Sequence, residues 1–203
     1  MKTRMITLLA FLSAFCGMTY AEQPARPQSD NYIKGVTALN EGDPMTAYKF
    51  LNAEIMENPD NGYAHCYMAL VCNCCGDVRL ALEALRTSLD LIPESDAEYR
   101  SFAYYSRGVL LTGLKQWEQA QSDLDEAIRL NPSDTENYKA RARLFLETSR
   151  YEESLDDLRK VLRLDCRADV NDLVLQLMAA APTTEFMDRV SATYQMSGRT
   201  EVR

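Results

Sequence analysis

The sequence predicts an all-α chain built from repeated helix hairpins, and three observations carry that prediction. The 203 residues are 46% hydrophobic yet include only 8 Gly and 7 Pro, too few turn residues for an all-β chain. Apolar residues recur at helical rather than alternating spacing. Small residues also recur at fixed intervals, at Gly35, Ala69, Gly108 and Ala142 and again at Ala47, Ala81, Ala120 and Ser154, with Pro59, Pro93, Pro132 and Cys166 closing each unit. In all three series the steps are 34, 39 and 34 residues. One five-residue insertion therefore shifts every marker equally, the signature of an internal repeat.

The N-terminus reads differently. Lys2 and Arg4 precede an apolar run, Met5 to Phe15, and then Thr19-Tyr20-Ala21, the charged, apolar and cleavage layout of a secretory signal over residues 1–21. The run is short of the roughly 20 residues a membrane-spanning helix needs. Residues 22–27 read as a linker. The expectation is export, to a periplasm. Lipoprotein anchoring through Cys16 is the alternative, but Phe15 stands where such signals carry a small residue.

Four hairpins follow, at 28–61, 62–95, 101–134 and 135–168. Asp43-Pro44 reads as an N-cap followed by Pro at the first helical position. In the third unit Tyr104, Leu111 and Leu114 precede Trp117, Ala120, Leu124, Ala127 and Ile128, and Asn131-Pro132 ends the run. Ser133 with Glu136, and Ser95 with Glu98, fit capping boxes. The extra residues 96–100 read as an early start to the third unit's first helix. Residues 169–198 carry Leu173, Leu177 and Met178 before Pro182, then Phe186, Val190 and Tyr194. They read as a degenerate fifth hairpin or capping pair, followed by a tail at 199–203. The small residue of each first helix is expected to face that of the second, where bulk would hold the pair apart.

The segment YYSRGVLLTGLKQWEQAQSDLDEAIRLNP, residues 104–132, resembles a tetratricopeptide repeat, and the four units together resemble a tetratricopeptide repeat protein. Departures are Ser154 for the usual Ala, Cys166 for the usual Pro, and a first helix without its aromatic pairing. The resemblance implies a right-handed superhelical α-α solenoid of helix-turn-helix repeats with C-terminal capping helices. It also implies that first helices line a concave groove that receives a protein or peptide ligand. Carried onto this chain, the groove residues are Tyr32, Val36 and Leu39, then Tyr63, Cys66, Leu70 and Asn73, then Phe102, Tyr105, Val109 and Thr112, then Glu136, Lys139 and Arg143.

Such a groove is apolar and aromatic over three repeats with a basic end, suited to an extended or helical peptide whose acidic group meets Lys139 and Arg143. Packing between neighbouring first helices is the competing role for the aliphatics and for the Tyr residues, and a solvated face is the competing role for Lys139, Arg141 and Arg143. The Lys and Asn with which one subfamily grips chaperone tails are replaced here by Tyr32 and Val36.

A formal charge of −8 argues against nucleic acid and against anionic membrane surfaces. Phosphate-cradling Gly loops, nucleophile elbows and zinc-binding His-Glu-x-x-His helices are missing, and the one His is His65. Glu152-Glu153, Asp156-Asp157 and Asp123/Asp125 read as solvated outer faces. After the signal come Cys66, Cys72, Cys74, Cys75 and Cys166. Residues one or two apart point about 100–200° apart on a helix, so Cys72, Cys74 and Cys75 converge only if the helix ends there. Neither catalytic residue, metal site nor cofactor is expected. The sequence thus reads as an exported, non-catalytic scaffold or adaptor, for instance in envelope complex assembly. The alternatives are a redox or metal-handling protein using Cys72, Cys74 and Cys75, and a recognition module of a longer envelope protein.

Overall fold

The computed structural model describes residues 26–195. The expected signal with Cys16, most of the linker, and the tail after Gln195 lie outside the described residues. Ten α-helices and no strand occur among the described residues, and the chain divides into two compact units at Asp96 and Ala97.

The first unit holds α1 (Asp30–Asn40), α2 (Pro44–Glu57), α3 (Gly62–Cys74) and α4 (Val78–Leu91). Every one of these helices starts on a polar cap. Ser29, Asp43, Asn61 and Asp77 each accept a backbone N–H from the first turn, satisfying a donor that has no partner within the helix. Hydrogen bonds from the Thr46 side chain and backbone hold the Asp43 carboxyl below its usual range, and Pro44 occupies the first helical position.

Close packing begins where the small residues fall: Gly108 lies against Ala120 and Ser154 bonds to Ala142, as expected, and a leucine of the second helix crowds in beside the glycines. A Cβ on Gly35 would lie 2.6 Å from Leu51 Cγ. The glycine makes room for that leucine. Ala47, Leu51, Ala81 and Leu85 are fully buried between the helices.

The second unit holds α5 (Ala97–Gly113), α6 (Trp117–Leu130), α7 (Thr135–Glu147), α8 (Tyr151–Leu164), α9 (Asn171–Ala180) and α10 (Thr184–Gln195). At 17 residues α5 is longer than α3 or α7, each of 13. Gly108 repeats the leucine fit, with a Cβ there 2.8 Å from Leu124 Cγ and 3.3 Å from the Ala120 carbonyl oxygen. Ser154, where the repeat usually has Ala, is fully buried and donates to the Ala142 carbonyl oxygen at 2.7 Å, so its hydroxyl carries no desolvation cost.

The capping box expected of Ser133 is not formed. Asp134 caps α7 by accepting from the Glu136 N–H at 2.9 Å, and Ser133 instead donates to the Asn131 side chain. A carboxylate one residue nearer the helix is the better acceptor for a positive helix end.

The α9–α10 pair buries Leu173, Val174, Leu177, Phe186 and Val190 in one core with Leu155, Leu158 and Val161 of α8. That cover removes from water the apolar face α8 would otherwise expose. The Tyr194 hydroxyl donates to Asn171 at 2.8 Å and ties the ends of the pair.

One further regularity runs through both units. The turn inside each of the first four hairpins holds a residue with positive φ: Gly42 at 82°, Gly76 at 81°, Lys115 at 60° and Ser149 at 59°. Glycine adopts this geometry without penalty, whereas Lys115 and Ser149 carry a local cost of roughly 1–2 kcal/mol.

A candidate protein-binding face

In the first unit the structure divides the expected groove residues between core and surface. Tyr32 and Tyr63 are buried, and Cys66 is completely so. Tyr32 sets its edge against the Tyr67 ring, with centroids 5.9 Å apart. The Tyr63 hydroxyl donates to the Asp96 carboxylate at 3.0 Å. Burial pushes the Cys66 thiol up to about 12, with the nearby Ser88 side chain acting weakly against it. These three residues pack the unit and offer a partner almost no surface, a correction to their assignment as groove residues. Val36, Leu39 and Leu70 are half-buried and Asn73 is exposed.

The second unit keeps more of its stripe accessible. Phe102 and Tyr105 on α5 stack with centroids 6.4 Å apart, both half-buried. One turn on, Val109 is 42% exposed. Thr112, half-buried on the next turn, donates its hydroxyl to the Gly108 carbonyl and keeps lone pairs to offer. Burial raises the Tyr105 phenol, and the charge of Glu136 on α7 adds to it while Arg143 opposes it. Tyr105 therefore lies between the aromatic strip of α5 and the charged residues of α7.

The expected basic end is altered. Lys139 is buried and its ammonium donates to Glu136 at 2.7 Å one turn away. It is a packed ion pair rather than an unmatched charge, again a correction. Arg143 keeps 55% of its side chain exposed and lies 4.0 Å from Asp172. The α5–α7 face is thus an apolar, aromatic strip beside balanced charges.

Sequence reasoning missed two polar constructions. Arg107 on α5 donates twice to Asp123 on α6, both at 2.7 Å, and Arg141 on α7 donates twice to Asp157 on α8 at 2.9 and 2.7 Å. Arg141 also donates to Asp125 at 2.6 Å, which joins α6 to the same group. Asp123 and Asp157 are buried, contrary to the expected solvated faces. Glu152, Glu153 and Asp156 are exposed, paired with Arg189, Arg150 and Arg159. The hydrogen bonds of Asp157 and then Asp125 push the Arg141 guanidinium above its usual range. Both bidentate pairs span 16 residues and stand 34 apart. That spacing was the available signal.

The second construction is Glu54 on α2, fully buried beside a cleft of about 430 Å³ whose lining includes Ser29, Asn58, Asn61 and Tyr63. Its carboxylate accepts from Ser29, from Asn58 at 3.1 Å and from Asn61 at 2.7 Å. A buried charge with three donors is paid for locally and stitches the start of α1 to the α2–α3 turn. Among the described residues no cluster of His, Cys, Asp and Glu is placed to hold a metal ion, and no helix is long and apolar enough to cross a membrane.

Residues 103–134 match the tetratricopeptide repeat family. Mouse Sperm-associated antigen 1 is 29% identical over 90 residues, 44% of this chain, and the chain spans only 9% of that relative's length. Among solved structures, MamA from Desulfovibrio magneticus RS-1 superposes with a TM-score of 0.67 at 17% identity, covering 83% of this chain and 91% of that one. The pilF protein of Pseudomonas aeruginosa superposes at 0.66 with 20% identity, over 84% of this chain and 76% of its own. Over its described length the chain therefore has the all-α fold of a tetratricopeptide repeat array, with α5 and α6 holding the segment that matches the repeat family itself.

Proposed function

We propose that the chain is a non-catalytic scaffold that holds a segment of another protein on the α5–α7 face. The observation that carries this reading is the strip of Phe102, Tyr105 and Val109 along one face of α5, the two aromatics half-buried and Val109 exposed. Aromatic side chains on a rigid helix give large contact area at small entropic cost and anchor many protein interfaces. The partner is a protein or peptide rather than nucleic acid, given the net charge of −8. With Lys139 neutralised by Glu136, the segment is held mainly by apolar anchors, and Arg143 supplies a peripheral charge contact. The run from Met5 to Phe15 supports an exported location, where the chain would serve in assembling an envelope complex.

The test uses a partner recovered by crosslinking and then purified. Phe102→Ala and Tyr105→Ala are expected each to weaken binding at least tenfold with helix content unchanged. Raising the salt concentration should weaken binding only modestly, because screening acts on exposed charges. Affinity unchanged in both variants would refute the assignment. Tyr63→Ala is unsuited to this purpose, since it would remove a buried hydrogen bond to Asp96.

A further inference from the structure

The turn between α3 and α4 brings two cysteines onto one face. Helix α3 ends at Cys74, with Cys75 as its C-cap at φ −84° and ψ −2°. Cys75 donates its N–H to the Val71 carbonyl at 3.0 Å, so the last turn stays helical through it. Cys72 and Cys75 are three residues apart, the spacing that places side chains on the same helix face with Cβ atoms about 5–6 Å apart. Cys74 is adjacent to Cys75 and points about 100° away. Cys72 is buried, whereas Cys74 and Cys75 are exposed.

A disulfide needs Cβ atoms about 3.5–4.5 Å apart, so closing the pair requires an approach of roughly 1–2 Å. The residue that must move lies at the helix end. Gly76 follows it at φ +81°, and nothing lies within 4 Å of where a Cβ on Gly76 would be. Burial raises the Cys72 thiol, and the charges of Asp77 and Cys75 raise it further, so Cys72 is the second thiol to react. The remaining thiol of α3, Cys66, is fully buried six residues earlier.

We infer that Cys72 and Cys75 form a reversible dithiol–disulfide pair that reacts with small disulfide oxidants. The exposed Cys75 gives up its proton and, as thiolate, attacks one sulfur of the oxidant; the oxidant's S–S bond breaks and its other half leaves with that proton as thiol, leaving a mixed disulfide. Cys72 loses its proton and attacks the Cys75 sulfur, the mixed S–S bond breaks, and the second oxidant thiol leaves with that proton. Two protein thiols are oxidised and one oxidant disulfide is reduced to two thiols. The closed pair would tighten the turn that carries Asp77, whose side chain accepts the Leu80 N–H and caps α4.

The experiment treats the full chain with oxidised glutathione, blocks remaining thiols by alkylation, and maps the digest by mass spectrometry. The expected product lacks two hydrogens and links Cys72 to Cys75. It persists in Cys74→Ser and is replaced by a glutathione adduct in Cys72→Ser and in Cys75→Ser. Loss of the link in Cys74→Ser, a link to any other cysteine, or glutathione adducts alone in the unaltered chain would overturn the inference.

Discussion

Replacing Arg141 with Ala is expected to destabilise the second unit by about 3–5 kcal/mol, the cost of leaving a buried charge without its partner. Asp157 is buried and receives two hydrogen bonds from Arg141, and Asp125 receives a third from the same guanidinium. One side chain thus joins α6, α7 and α8. The cost falls toward the low end of that range, because the Arg141 side chain keeps 22% exposure and water can partly replace it. The chain has a single tryptophan, Trp117, at the start of α6. Its fluorescence during denaturant unfolding therefore reports on this unit. A subsequent Asp157→Ala should cost much less in the Arg141→Ala background than alone, since the two groups are coupled. A midpoint unmoved by Arg141→Ala would show the ion pair to be decorative.

Two glycines on one helix should respond to substitution with opposite signs. Gly108→Val is expected to cost about 1–3 kcal/mol by overpacking. The new side chain would meet Leu124, itself fully buried, and the Ala120 carbonyl, and neither can retreat easily. Gly113→Ala is expected to gain up to about 1 kcal/mol, because a Cβ there meets nothing within 4 Å and alanine is the better helix former. Both are read by the same tryptophan. A gain from both changes would mean that helix propensity, and not the contact between α5 and α6, decides position 108.

The hairpins were legible because the fold forbids bulk where helices cross, so Gly35, Ala69, Gly108 and Ala142 mark the crossings whatever surrounds them. The left-handed turn residue follows the same spacing but went unread. Gly42 and Gly76 suit it chemically, whereas Lys115 and Ser149 occupy it under strain and look like ordinary surface residues. The groove was legible only in part for a different reason. Helical spacing places Tyr63 with Leu70, and Lys139 with Arg143, on one stripe, but it cannot say how deeply the neighbouring helix covers each. Tyr63 and Lys139 fall on the covered side, and Val109 and Arg143 on the open one. The buried carboxylates were misread because a single helix shows Asp123 and Asp157 only as polar positions. Their partners lie 16 residues earlier, across the hairpin, where no local pattern points.

The α5 strip is expected to be the surface that touches a partner. A photo-reactive phenylalanine placed at Val109 tests this directly against the same group at Ser122, which is exposed on α6. With the purified partner present, irradiation is expected to yield a covalent adduct from position 109 and little from position 122. Equal yields from both positions, or an adduct from 122 alone, would contradict it.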